Sequence, residues 1–451
     1  MPSEEKQDKK VEIKDSHGFV IGDFATVINN FWDEKIIKRF GLEQKIGFII
    51  LLITIILVGV GLFFGLRTKQ KPIMTGEFRI AIASFAENDS GLPKNIGYTI
   101  ADGINLRLAD DLKEIAVGPK VEIWGPDKIG TIKGKTPEER ARNAEKLAKR
   151  IQAYMIIYGV VKKTPSGISV IPEFYLDTQG FHEGIEIIGQ YQLGSSFILP
   201  GANNPAWAYE FDQQMQMRSD IISSLAVGLS YFAIHEYQKS LDVLKSIESI
   251  EDWEDNQGKE VLYALIGFSA GKASKYDEAE VALEKAIKIN PDYSRPYIGI
   301  ANLYYIRALL PFEKSKKIED VDLQLLDSCF DYLDLAIQAP EKPPLAEVDT
   351  KIHFSQGQCY WLKTYTGQLG NFNLAIKEFE QVIQNYGDGT NPRIYELAAE
   401  SHARLGLIYQ LTGNFPKAAE EYQTAANLLP DIPERQVLYQ KRADEIQKII
   451  P

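Results

Sequence analysis

The sequence predicts an α+β protein in three parts: a single transmembrane helix, a small mixed α/β domain and an all-α superhelical solenoid. Three observations carry this. Residues 46–66 run without a charged side chain for about 21 residues, enough to cross a bilayer as a helix. Between residues 77 and 200, strand-like and helix-like segments follow one another in the order β-α-β-α-β-β-β, the order of a mixed sheet covered by two helices. Beyond residue 220, helix pairs recur at about 34-residue intervals.

Sixteen positions of the apolar run are Leu, Ile, Val or Phe, each favourable by roughly 0.3–0.6 kcal/mol near a membrane centre. The leader of about 45 residues is too long for a cleaved signal, and the residues after Leu66 offer no small-residue cut site. Gly61 and Gly65 form a small-xxx-small pair that would let two such helices dimerise. Lys35, Lys38, Arg39 and Lys45 on one side balance Arg67, Lys69, Lys71 and Arg79 on the other, so the positive-inside rule leaves orientation open.

Residues 1–15 are charged and poor in large apolar side chains, and read as a disordered tail. Within residues 16–45, Phe19, Val20, Ile21, Phe24, Val27 and Ile28 read as a short strand-like segment or an apolar stretch lying on its surroundings. Trp32, Ile36, Ile37 and Phe40 then line one face of an amphipathic juxtamembrane helix.

In residues 77–200 the opening strand, 78–85, sets small Ala81 and Ala83 opposite Ile80 and Ile82, which predicts burial on both faces. Ile96, Ile100, Ile104, Leu108 and Leu112 form one helical stripe, followed by a strand ending in Trp124. Residues 130–136 approximate a phosphate-binding Gly-x4-Gly-Lys-Thr loop but are one residue short. Thr136-Pro137-Glu138-Glu139 instead reads as a capping box with proline at the first helical position. Two strands then flank the turn Thr164-Pro165-Ser166-Gly167, and residues 185–193 supply another strand.

Residues 201–219 are a linker rich in Pro, Asn and Gly at its start. In the helical part, Ile266-Gly267 marks a close helix contact that Ala279, Leu283 and Ala286 answer from the next helix. Gly406, Tyr409, Ala418, Tyr422, Ala425 and Pro430 repeat the scheme. Residues 227–244, 297–336 and 357–379 give further copies, the second with an insertion at 311–321, and 433–451 read as a capping helix.

This pattern resembles the tetratricopeptide repeat (TPR), over residues 220–432 in about five repeats. The resemblance implies a concave groove for a peptide or partner protein, lined here by Lys272, Arg295, Asn302, Tyr305, Lys351, Gln358, Trp361, Arg404 and Gln410. Four of these are basic in a chain of net charge −12, which favours a peptide with acidic character. The paired Lys/Asn arrangement of chaperone-binding repeats is not matched beyond Asn302. Ser84-Phe85, Ala101-Asp102-Gly103-Ile104, the capped Ala-rich helix and Tyr158-Gly159 resemble the amino-terminal domain of TolB. That likeness implies a non-catalytic interaction module and, by analogy, a bacterial inner-membrane protein with its carboxy-terminal domains extracytoplasmic.

The charge balance lacks the basic face that nucleic acid requires. Cys329, Cys359 and five scattered histidines show no metal-ligand spacing, and the cysteines read as small buried residues. No nucleophile–base pairing or cofactor loop stands at workable spacing, so neither enzyme nor cofactor is expected. The sequence therefore predicts a membrane-anchored, non-enzymatic scaffold. The alternative is a transmembrane signal transducer that recruits a cytoplasmic effector through its amino-terminal tail.

Overall fold

The computed structural model describes residues 72–114, 121–177, 187–192, 197–199, 207–249, 258–340, 347–391 and 394–450. Its sheet contains β1 (Phe78–Ile82), β2 (Ala86–Glu87), β3 (Val121–Trp124), β4 (Met155–Thr164), β5 (Gly167–Leu176), β6 (Gly189–Gln192) and β7 (Phe197–Leu199). The order β3-β1-β4-β5-β6 is parallel from β3 to β4 and antiparallel from there on. β2 and β7 extend it beside β4 and β5.

Both faces of the sheet are covered, as the composition of β1 requires. Phe78, Ile80 and Ile82 pack with Ile96, Ile100, Ile104 and Leu108 of α1 (Ile96–Glu114). Ala81 and Ala83 lie with Ala141, Ala144 and Ala148 of α3 (Pro137–Ile151) on the opposite face. Between these helices lies the short α2 (Pro126–Ile129). Small side chains on both partners allow α3 to sit close to the strands. Thr136 Oγ1 accepts the Glu139 N–H at 3.3 Å and Pro137 occupies the first turn, so Thr136 caps the start of α3.

A charged pair is enclosed on the α3 face. Arg140 donates from Nε and Nη2 to the two oxygens of Glu173, at 2.8 and 2.5 Å, and both side chains are buried. The Glu173 hydrogen bonds raise the Arg140 pKa, against the desolvation that would lower it. Burial, with the Glu173 charge next, holds the neighbouring Tyr158 hydroxyl well above its ordinary range.

The remaining helices are α4 (Trp207–Ala233), α5 (Tyr237–Ser246), α6 (Lys259–Lys272), α7 (Tyr276–Ile289), α8 (Ser294–Ser315), α9 (Leu323–Gln338), α10 (Glu347–Tyr365), α11 (Asn373–Tyr386), α12 (Tyr395–Leu411), α13 (Phe415–Asn427) and α14 (Pro433–Gln447). From α4 onward each helix packs on the next, building a solenoid. One device recurs inside the pairs. A Cβ on Gly267 would stand 2.5 Å from Leu283, and one on Gly357 would stand 2.7 Å from Phe379. Gly228 faces Leu244 and Gly406 faces Tyr422 in the same way. A second device recurs within the pairs α10–α11 and α12–α13: His353 Nδ1 lies 2.7 Å from Glu378 Oε2, and His402 Nδ1 lies 2.6 Å from Glu421 Oε2.

The fold class is corrected in one respect. Among the described residues no helix is long and apolar enough to cross a membrane. α4 has the length, at 27 residues, but carries Asp212, Arg218 and Asp220, and each such charge opposes insertion by about 2.5–3.5 kcal/mol at the bilayer centre. The architecture is a largely helical, TPR-like solenoid with a small sheet region. The single-pass membrane placement expected from the sequence is therefore not matched by any described helix, and its lipid partner and helix-pairing dimer find no support there. The span expected at 46–66, the segments before it and the Gly61–Gly65 pair lie outside the described residues.

A further correction concerns the cysteines. Cys329 of α9 and Cys359 of α10 are fully buried as expected, but their sulfurs meet and are paired as a disulfide. In the sequence alone they stand as two unrelated core residues.

Two outcomes test this packing. Glu173→Gln leaves the Arg140 guanidinium buried without its counter-charge, so stability to urea should fall by about 3 kcal/mol. Gly357→Ala sets a methyl against the fully buried Phe379 ring, and the same titration should show a loss of about 1–3 kcal/mol.

Candidate partner-binding groove

The first helices of successive pairs, α8, α10 and α12, present a side-by-side row of polar and aromatic residues, and α14 closes its far end. Asn302 of α8 accepts a hydrogen bond from Ser355 of α10 at 3.0 Å. Trp361 stacks on Tyr365 one turn later, with ring centroids 5.2 Å apart and planes 9° from parallel. Its indole Nε1 has no hydrogen-bond acceptor among the described residues. The Arg404 guanidinium of α12 stands 6.0 Å from the centroid of the Trp361 ring.

Arg404 is the cation that three buried or half-buried tyrosines share. Burial raises the hydroxyl pKa of Tyr305, Tyr422 and Tyr439, and in each case the Arg404 charge works against that rise. This cation thus lies amid residues of α8, α10, α13 and α14. Arg404 pairs with no carboxylate among the described residues. The nearby carboxylate of Glu400 is already engaged, accepting the Tyr439 hydroxyl at 2.5 Å with Arg435 3.6 Å away.

Beside Arg404 lies an open pocket of about 330 Å³ between α12, α13 and α14. Ala403, Leu407 and Leu438 make its apolar wall, Tyr422 and Tyr439 its aromatic one, and Gln410 and Arg442 its rim. Tyr422 can flank the pocket because Gly406 opposite it lacks a side chain; a Cβ there would approach the ring to 3.0 Å. The arrangement offers hydrogen-bond donors and a cation beside apolar surface, a combination suited to an acceptor-bearing peptide side chain.

The structure brings together Asn302, Tyr305, Gln358, Trp361, Arg404 and Gln410 along α8, α10 and α12. Lys351 belongs to the same row, its Nζ 5.6 Å from the Phe354 ring centroid. Lys272 stands apart in the last turn of α6. Arg295 is a correction: it is 4% exposed and faces the sheet. Its Nη1 donates to the Tyr191 hydroxyl and its Nη2 to the Ile188 carbonyl, while the guanidinium lies 4.5 Å from the Tyr191 ring centroid. Tyr191 in turn stacks on Phe174 of β5 at 4.8 Å. Arg295 therefore joins solenoid to sheet.

Sequence reasoning missed Glu400, Leu407, Leu438, Tyr439 and Arg442. The spacing 400, 403, 404, 407, 410 already marks one helical face and could have found the first two. The α14 residues become part of the site only through the packing of α14 on α13.

Comparison with known proteins identifies two of the repeats. Residues 261–293 and 399–432 each match a tetratricopeptide repeat model. The chain carries tetratricopeptide repeats. Similar solved structures include a thermophilic TPR protein of Thermus thermophilus, 15% identical over 49% of this chain and 98% of that one, with a TM-score of 0.36. IFIT1 bound to Gppp-AAAA is 12% identical over 54% of this chain and 59% of that one, at a TM-score of 0.35. The TPR domain of P58(IPK) is 13% identical over 54% of this chain and 70% of that one, at 0.20. No curated protein matches the chain. Both matched stretches lie in the helical part, so the likeness of residues 77–195 to TolB rests on their sequence pattern alone.

Arg295→Ala should leave the Ile188 carbonyl and the Tyr191 ring facing a buried gap, at a cost of about 2 kcal/mol. Urea unfolding followed by tyrosine absorbance would register the loss.

Proposed function

We propose that this chain is a non-enzymatic protein-interaction scaffold that holds a peptide segment of a partner protein along α8, α10 and α12. Tetratricopeptide repeats imply protein or peptide partners, and the observation that carries the finer reading is Arg404. It is a half-buried cation without a counter-ion among the described residues, set between aromatic rings and an apolar pocket. A segment bearing Asp or Glu next to a bulky apolar residue satisfies both features at once. The carboxylate takes the guanidinium in a charge-assisted hydrogen bond, and the apolar side chain enters between Leu407 and Leu438.

On this reading residues 220–432 form the groove and residues 433–451 its end wall. Residues 77–200 act as a fixed plate at the other end, where Arg295 is committed to the sheet and withheld from any ligand. The ligand consequently lies toward the carboxy-terminal pairs.

A peptide array probed with the purified chain tests the proposal. Bound sequences should be enriched in Asp or Glu adjacent to Leu, Ile, Phe or Trp. Arg404→Gln should weaken the best of them by about tenfold, equivalent to about 1.4 kcal/mol, and the wild-type affinity should fall as salt rises. Enrichment of basic peptides, or an unchanged affinity in the variant, would contradict it.

A further inference from the structure

The chain has two cysteines, 30 residues apart in sequence, and the fold brings their sulfurs into contact between α9 and α10. Both are fully buried, and Leu326, Leu333 and Leu362 belong to the same core cluster. Cys359 lies one residue after Gln358 and two before Trp361, so it anchors the back of the helix that bears the middle of the groove. The two Cα atoms are 7.3 Å apart, whereas bridged cysteines have Cα atoms about 4.4–6.8 Å apart and bridging beyond about 7 Å requires the backbone to move. Closing or opening this bond is therefore coupled to the position of α10 against α9.

We propose that Cys329 and Cys359 are a reversible thiol–disulfide pair: the bond holds α10 against α9 as in this structure, and its reduction frees α10 to shift and carry its groove side chains with it. The oxidant is a low-molecular-weight disulfide of the glutathione class. One cysteine thiolate attacks it, forming a mixed disulfide and releasing one small thiolate. The second cysteine thiolate then attacks the protein sulfur of that mixed disulfide and releases the other. Two electrons pass from the cysteines to the small disulfide, and the two thiol protons end on the two small thiols released. Since neither sulfur is exposed, exchange proceeds through local opening of the α9–α10 contact. The consequence for ligand binding rests on the groove reading above; the redox step and the helix movement do not.

The experiment uses the full chain, treated with excess oxidised glutathione or with a thiol reductant, then freed of reagent. Thiols titrated in denaturant should number none after oxidation and two after reduction, and the oxidised mass should be lower by two hydrogens with no glutathione attached. Two thiols, or a lasting adduct, after oxidation would overturn the pairing. Hydrogen exchange read by mass spectrometry should then slow several-fold in α9 and α10 of the oxidised form and stay unchanged in β4 and β5. Equal exchange in both forms would overturn the coupling. Cys329→Ala should abolish the difference between treatments, and Cys359→Ala provides the same control should the first variant fold poorly. Equal peptide affinity in two forms whose exchange differs would refute the effect on the groove, whereas the Arg404→Gln result judges the groove itself.

Discussion

The solenoid depends on how closely one helix can lie against its neighbour. At Gly228, Gly267, Gly357 and Gly406 the approach is so tight that a single Cβ would meet Leu244, Leu283, Phe379 or Tyr422 at 3.0 Å or less. Repeating that contact along the chain keeps the pairs in a constant relation, and a constant relation between neighbours is what turns a row of hairpins into a superhelix with a concave side. The close approach within four of the pairs thus rests on four missing side chains. The same contact at Gly406 gives Tyr422 its place beside the carboxy-terminal pocket.

The sheet gives this superhelix a beginning. Apolar residues of β1, β4, β5, α1 and α4 through α8 belong to one continuous core, so the sheet and the first helix pairs bury a common surface. Arg295 completes the junction with polar contacts to Ile188 and Tyr191. A buried guanidinium is costly unless it is hydrogen-bonded, and the Tyr191 hydroxyl and the Ile188 carbonyl accept from two of its donors. A residue that the repeat pattern assigns to the groove is thus a structural bolt between sheet and solenoid. In the carboxy-terminal pairs Arg435 and Tyr439 engage Glu400, while Arg404 pairs with no carboxylate among the described residues.

Much of this was legible in the residues because it follows from local rules. Ala81 and Ala83 opposite Ile80 and Ile82 foretold a strand buried on two faces, and Thr136-Pro137 foretold the start of α3. The Gly, Ala and Tyr spacing around residues 267 and 406 marked helix contacts. The site was legible in part. The resemblance to the repeat assigned Asn302, Trp361 and Arg404 to the groove, but it could not tell which groove positions another part of the chain already covers, as with Arg295. Nor could it see the pocket formed with α14, whose Leu438, Tyr439 and Arg442 are remote in sequence from the Ala403–Gln410 face.

By itself the sequence determined the helix and strand periods, the caps, the repeat spacing and the acidic balance, because each is set by side chains within a few turns of one another. It also contained one long apolar run, whose reading as a membrane span found no counterpart in any described helix. Only the tertiary structure decided that Arg295 locks the sheet to the solenoid, that Cys329 meets Cys359, and that Arg404 stands among Trp361, Tyr422 and Tyr439 without a counter-ion among the described residues. These depend on the crossing and stacking of whole helices. Burial and pairing are properties of the space between elements, and that space does not exist until the elements have packed.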